Sequence, residues 1–333
     1  MATLPRLQDF FRMTPTLDSP LQQVLLQLLR WLTEEGYAFT TVTPATHERV
    51  LARDPDATAR SLRDVFGFSR AFTPDLLPRH ALDALRAADL LAPADGGRLR
   101  SAVRFSTLHE LLFAHSAYPT TAADSVFFGP DTFRFADLVV QELARAPLRD
   151  GARILDVGCG AGPGGIVAAR ASAPASPRLV LSDINPRALH FAAANATHAG
   201  LPDASFAQGD LFAPVSGSLD LIVANPPYLN DAAQRTYRHG GGRWGEALSL
   251  RIVREGMPRL APGGRLVLYT GVAMAEGVDP LLTALRPYLQ DAGWTWRYRE
   301  LDPDVFGEEL AQAAYRDAER IAAVALIVER ATT

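Results

Sequence analysis

Leu155-Asp156-Val157-Gly158-Cys159-Gly160-Ala161-Gly162 decides the fold of this 333-residue chain. A short apolar run, Arg153 to Val157, breaks into glycines and resumes as a helical pattern from Gly164, which is the signature of a strand feeding a helix through a tight turn. Glycine in that turn lets the backbone bend sharply and lets a ligand approach closer than a Cβ would permit. Outward from this stretch the same alternation continues. Strands are expected at Leu179 to Ser182, Ser205 to Gln208, Leu219 to Ala224, Leu266 to Thr270, Thr295 to Leu301 and Ala323 to Val328. The intervening helices are expected at Pro186 to Ala199, Glu246 to Leu260 and Pro280 to Ala292, with a further helix, Phe135 to Ala146, ahead of the first strand. Strands spaced by helices predict a parallel sheet covered on both faces, an α/β fold. The last run follows a short connection and can enter antiparallel.

Upstream the pattern differs. Residues 20 to 36 form an amphipathic stripe of Leu21, Val24, Leu25, Leu28, Leu29 and Leu32 closed by Gly36,. Thr43-Pro44 reads as an N-cap followed by proline at the first helical position, and two more helices are expected near Ala59 to Phe66 and Pro78 to Ala88,. Beyond the turn Asp95-Gly96-Gly97, residues Leu99 to Thr107 alternate Ala102, Arg104 and Ser106 against Val103 and Phe105, and Glu110 to His115 follows as a partner strand,. This is either a winged-helix-like arrangement or an α+β lobe that covers an apolar edge of the next unit. The changes of pattern place an N-terminal helical, winged-helix-like substrate-recognition domain at 1–120 and a catalytic domain at 121–333.

Composition narrows the function. A net charge of −4, 48% hydrophobic residues and mean hydropathy +0.01 describe a globular protein with a substantial core and no overall electrostatic footprint for nucleic acid,. All 33 basic residues are arginine. Arg98, Arg100 and Arg104 alternate along the ribbon, as a solvated face or as a nucleic-acid contact. The single cysteine, Cys159, excludes an intrachain disulfide and fits a reducing cytoplasm,. The first thirty residues hold Asp9 and Asp18 and no basic start before an apolar run, so no signal peptide is expected, and no apolar stretch is long enough for a membrane span,. His109 and His115, without carboxylate or thiolate company, read as structural, and no metal is expected.

The chemistry lies at two strand ends. Asp156 inside the first turn would repel a pyrophosphate but suits a cofactor with a cationic centre, which favours S-adenosylmethionine over a nicotinamide dinucleotide; it can also cap the loop by accepting backbone N–H groups. Asp183, ending the second strand, is placed to accept the hydroxyls of a ribose. Asp210, with Leu211 and Phe212, offers a carboxylate for an adenine amino group and apolar surface beside it. Cys159 fills a place that needs a small residue.

About seventy residues after the glycine turn, Asn225-Pro226-Pro227-Tyr228 ends the run Leu219 to Ala224. Asn225 Oδ1 and the Pro226 carbonyl are two acceptors that can hold the two N–H bonds of a planar nitrogen. Pro227 biases Pro226 to an extended conformation, and Tyr228 can wall the substrate plane. The alternative is an ordinary strand-ending turn.

On these motifs, Phe128 to Val328 resembles the class I S-adenosylmethionine-dependent methyltransferases, and within them the group carrying Asn-Pro-Pro-Tyr. The resemblance implies a Rossmann-like seven-stranded sheet with its last strand antiparallel. It implies Asp156 and Gly158 near the methionine part of S-adenosylmethionine, with Gly160 and Gly162 completing the loop, Asp183 at the ribose and Asp210 and Leu211 at the adenine. Phe128-Gly129-Pro130-Asp131-Thr132 looks like the segment that folds over the cofactor, with Thr132 as a contact. Tyr237 to Glu246, with Gly240-Gly241-Gly242, is similar to the loop following Asn-Pro-Pro-Tyr in HemK-type glutamine methyltransferases, which act on translation release factors; here it is a flexible connection or a substrate lid. The acceptor implied is a macromolecule, a release-factor-like protein glutamine ahead of an adenine or guanine amino group in RNA or DNA. Phe306 to Ala318 matches no part of that family.

Overall fold

The computed structural model describes residues 19–332 apart from Ala292. The expectation about a leader and the predicted end of a helix at Ala292 rest on residues outside these. Four helices come first, α1 (Pro20–Glu34), α2 (Pro44–Leu51), α3 (Leu62–Phe66) and α4 (Arg79–Ala87). Thr43 caps α2 by accepting the Thr46 N–H, with Pro44 at the first helical position,. Then come β1 (Leu91–Pro93), β2 (Leu99–Ser101), β3 (Val103–Leu108) and β4 (Leu111–Ser116). The expected strand from Leu99 to Thr107 is two strands. β1 pairs with β2 and β3 with β4 in separate antiparallel ribbons, because the Ser101 hydroxyl, bonded to the Val103 N–H and carbonyl, turns the chain between them.

The rest alternates: α5 (Pro130–Arg145), β5 (Arg153–Val157), α6 (Pro163–Ala171), β6 (Arg178–Asp183), α7 (Pro186–His198), β7 (Ser205–Gln208), β8 (Leu219–Ala224), α8 (Ala247–Gly256), β9 (Leu260–Met274), α9 (Pro280–Leu289), β10 (Trp294–Asp302) and β11 (Arg320–Arg330). α5 begins five residues before its expected start, since Pro130 fits the first turn and the Thr132 hydroxyl accepts the Gly129 N–H,. The sheet order is β10-β11-β9-β8-β5-β6-β7. β11 runs antiparallel to β9 and β10, and the β5–β6, β5–β8, β6–β7 and β8–β9 pairs are parallel. The order reverses at β5, whose next strands lie on one side and β8 on the other. The carboxyl ends there diverge and leave a crevice.

α7 explains how the N-terminal elements sit. Its Leu189, Ala192, Ala193 and Ala196 join the core under the sheet, while Ala188, Phe191 and Ala194 join Leu25, Leu28 and Leu29 of α1 in a second core. A helix apolar on both faces must be covered on both. Residues 19–120 therefore pack as a lobe on α7. The ribbon does not extend as a wing: Arg104 and Ser106, expected on a polar outer face, are 4% and 0% exposed, since α1, α3 and the Phe39 segment close over it. Arg98 is tied to the Asp95 and Asp56 carbonyls and Thr58, and Arg100 alone is exposed.

One side chain stitches lobe, α7 and glycine turn together. Asn195, 1% exposed, accepts the Ala114 N–H at 2.8 Å and donates to the Ala114 carbonyl at 3.0 Å and the Ala161 carbonyl at 2.8 Å. Asn195→Ala leaves buried backbone groups unpaired and is expected to cost about 3 kcal/mol. Urea denaturation that finds a change below about 0.5 kcal/mol would remove this role.

Candidate functional site

A cavity of about 440 Å³ opens at the carboxyl ends of β5, β6 and β8,. Gly158 and Gly160 line it at φ +66° and +54°, and a Cβ on Gly158 would meet nothing within 4 Å. The open side of the turn faces the cavity, so the backbone is available to a ligand. Gly162 is not brought to this wall. A Cβ there would press on Ile166, Ala192 and Leu181 at 3.0 to 3.4 Å, so it serves the packing of α6.

Asp156, one residue before the end of β5, is 2% exposed, with Oδ2 accepting the Gly165 N–H at 2.7 Å. Burial pushes its carboxyl up to about 7, opposed by that N–H and reinforced by the charge of Asp183. A buried carboxylate facing a cavity and lacking a cation is what an ammonium or sulfonium would complement. Asp183 accepts the Gly160 N–H on Oδ2 and the Asn185 N–H on Oδ1, both at 2.8 Å, which locks the glycine turn to β6; burial raises this carboxyl as well. Asp210 lines the outer end, more than half exposed and held by Arg251 at 2.9 Å. Leu211 lines the cavity. Phe212 turns away into the core against Gly256 under α8, and the apolar surface beside Asp183 comes instead from Ile184, 55% exposed. Thr132 lies on the wall and closes the start of α5; Cys159 is buried, its thiol pushed well up by burial.

Asn225, Pro226, Pro227 and Tyr228 form the facing wall. Asn225 is half-buried, and among the described residues its amide makes no hydrogen bond to protein. The Pro226 carbonyl likewise accepts none from the surrounding backbone. Two acceptors thus face the cavity uncommitted. Tyr228 is more constrained than its sequence suggests. Its hydroxyl donates to Asp131 Oδ2, and its ring packs on Gly271, where a Cβ would sit 2.3 Å away, and edge-on to Phe306 at 5.9 Å. Asp131 is 6% exposed and also accepts the Tyr269 hydroxyl at 2.7 Å and Arg134 at 3.2 Å.

Behind the corner runs Leu229 to Glu246. Gly240 and Gly245 are pressed onto it: a Cβ on Gly240 would lie 2.6 Å from the Pro227 carbonyl oxygen, and one on Gly245 2.1 Å from that of Tyr228. The Leu229 N–H donates to the Arg238 carbonyl and the Gly240 N–H to the Leu229 carbonyl. Gly240 and Gly245 thus make this stretch a brace packed on the corner. The segment Phe306 to Ala318 clasps it. The Asn230 N–H donates to the Tyr315 hydroxyl at 2.6 Å, Arg238 pairs with Glu309, and Arg243 with Asp317 at 2.8 Å.

Asp131, Phe306 and Ile184 were not singled out by sequence. Asp131 was named only within the segment expected to fold over the cofactor, Ile184 reads as one more strand-end aliphatic, and Phe306 sits in a tail without periodicity. His109 pairs with Asp137 and His115 with Ser106, both away from the cavity. Among the described residues no group of three or more His, Cys, Asp or Glu could hold a metal ion, and no helix is long and apolar enough to cross a membrane.

The sheet order is that of a Rossmann-like methyltransferase fold, and residues 134–276 match the family model of the methyltransferase small domain. Curated relatives that it matches include proteins named release factor glutamine methyltransferase. That of Deinococcus radiodurans is 34% identical over 57% of this chain and 66% of its own. That of Yersinia pestis is 37% identical over 44% and 55%, and that of Cereibacter sphaeroides 29% identical over 71% and 86%. The chain spans between about half and two thirds of the length of most of these relatives.

Two outcomes follow from the packing. Folded Asp156 holds its proton to about pH 7, and the unfolded chain loses it near 3.8. Between those values the folded state binds more protons, so stability falls as pH rises and levels off above 7. Melting curves of ligand-free protein from pH 4 to 8 are expected to show this fall and Asp156→Asn to flatten it; parallel curves would contradict the assignment. Gly245→Ala, at φ +100° and against the Tyr228 carbonyl, is expected to lose roughly 2 kcal/mol or more in chemical denaturation,.

Proposed function

We propose that this protein is an S-adenosylmethionine-dependent N-methyltransferase whose acceptor is a glutamine side chain of a release-factor-like protein, working in the cytoplasm. The observation that carries the reading is the pair of uncommitted acceptors, Asn225 Oδ1 and the Pro226 carbonyl, facing a cavity whose other wall is a glycine cradle with two carboxylates. The cradle fits the cofactor: Gly158 leaves room at the backbone, Asp156 lacks a cation, and Asp183 keeps a free lone pair on each oxygen for ribose hydroxyls. When bound, S-adenosylmethionine supplies an electrophilic methyl group on a sulfonium.

A carboxamide nitrogen is a poor nucleophile because its lone pair is delocalised into the carbonyl. Asn225 and Pro226 each accept one of its N–H bonds, which fixes the amide plane and stabilises positive charge as it develops on nitrogen. Pro226 aims its carbonyl without φ freedom, and Pro227 holds it extended. Tyr228, tied to Asp131 and wedged against Gly271, presents a rigid wall rather than a mobile ring. The proton on the methylated nitrogen becomes acidic only as the new bond forms, so solvent can take it and no general base is required at the corner.

The names of the curated relatives support a protein acceptor. The nucleic-acid alternative drew on a basic ribbon, and with Arg104 buried that face is lost.

Asn225→Ala is expected to keep cofactor affinity in calorimetry while turnover falls about 100-fold or more; full activity would refute the corner's role. Asp183→Ala should instead weaken cofactor binding. With methyl-labelled S-adenosylmethionine and separated lysate fractions, label is expected in protein, as N-methylglutamine. Label confined to RNA and removed by ribonuclease would overturn the acceptor.

A further inference from the structure

β10 and β11 are antiparallel neighbours in the sheet, and a turn of about two residues can join such strands,. Here residues 303–319 intervene. A connection of that length within a compact unit usually carries function when it is ordered. This one is tied down along its course. The Val305 N–H donates to the Ile321 carbonyl at 2.7 Å and the Glu309 N–H to the Phe306 carbonyl at 2.8 Å. Glu309, 5% exposed, accepts Arg238 and the Gln312 amide, and the Tyr315 hydroxyl, itself buried, spans from the Asn230 N–H to the Trp244 carbonyl.

This mount holds one side chain against the cavity. Phe306 sits at φ +55°, left-handed backbone in which a bulky residue is strained and a glycine is not,. Such strain persists where the surroundings impose it, and it gathers at functional sites. The Phe306 ring lies 5.9 Å from that of Tyr228 at 69° and lines the same cavity as Asn225 and Pro226. Tyr228 is 8% exposed and shows little of its ring; Phe306, half-buried, shows more. The two rings form an apolar angle beside the polar corner.

An acceptor glutamine has the matching construction. Its carboxamide N–H bonds go to Asn225 and Pro226, and two methylenes connect that polar end to the backbone. The methylenes need an apolar surface beside the corner, which Phe306 supplies. An asparagine carries one methylene fewer, so its amide reaches the corner only with the stem out of register with the ring. One methylene in an apolar pocket changes selectivity about tenfold or more.

We propose that Phe306 is a specificity-determining residue of the acceptor site. Its ring packs on the aliphatic stem of the acceptor side chain and sets the reach of the carboxamide, so that glutamine is taken in preference to asparagine. The inference rests on the glutamine acceptor proposed above.

The test is competition during methyl transfer from labelled S-adenosylmethionine to a lysate protein fraction. Acetyl-Gly-Gln-Gly-amide is expected to compete about tenfold more strongly than acetyl-Gly-Asn-Gly-amide against the wild-type protein. In Phe306→Ala that preference falls to about twofold or less, while cofactor affinity in calorimetry is unchanged, which shows the fold and the cradle intact. Should Phe306→Ala fail to fold, Phe306→Gly, which takes φ +55° without strain, serves in its place,. Label entering RNA alone sinks the glutamine acceptor whatever Phe306 does. Label entering protein, with no glutamine preference in the wild type or with a preference that survives the substitution, overturns the role of Phe306 alone.

Discussion

Backbone-to-backbone contact behind the Asn225 corner is the constraint on which the site depends. Gly240 and Gly245 lie so close to the Pro227 and Tyr228 carbonyls that any side chain would push the two segments apart. The brace backs the corner closely, and Asn225 and Pro226 line the cavity in front of it. The Asp131 carboxylate fixes the same corner from the side through the Tyr228 hydroxyl. Such rigidity matters for weak nucleophiles, where orienting two N–H bonds replaces chemical activation.

The second organising element is α7. Alanine on two of its faces lets the sheet approach from one side and α1 from the other, and Asn195 satisfies backbone groups that this burial would strand. The lobe is thereby tied to the glycine turn through the Ala161 carbonyl. One buried side chain thus bonds both the lobe and the glycine turn.

Much of the sheet was legible because its signals are local. β7 and β8 appear within their expected bounds, since apolar runs between turn residues in a parallel sheet leave little freedom,. β9 does not: expected at Leu266 to Thr270, the strand spans Leu260–Met274, with a register shift where it meets β8 and continued pairing to the long β11. The polar alternation of Arg104 and Ser106 suggested a solvated face, but a two-stranded ribbon can be buried on both sides when helices close over it. Burial of an arginine is decided by those neighbours and not by the ribbon's own pattern.

By itself the sequence determined the alternating α/β order and the positions of Asp156, Asp183 and Asn225 at or next to strand ends, because each depends on the few residues around it. Only the tertiary structure decided what surrounds them. It brought Asp131 to Tyr228 across about a hundred residues of chain, seated Phe306 and Tyr315 of an unpatterned tail on the brace, and left Arg104 charged and unpaired inside the lobe. Contacts of this kind come from packing between distant segments, and packing leaves no period in the local sequence.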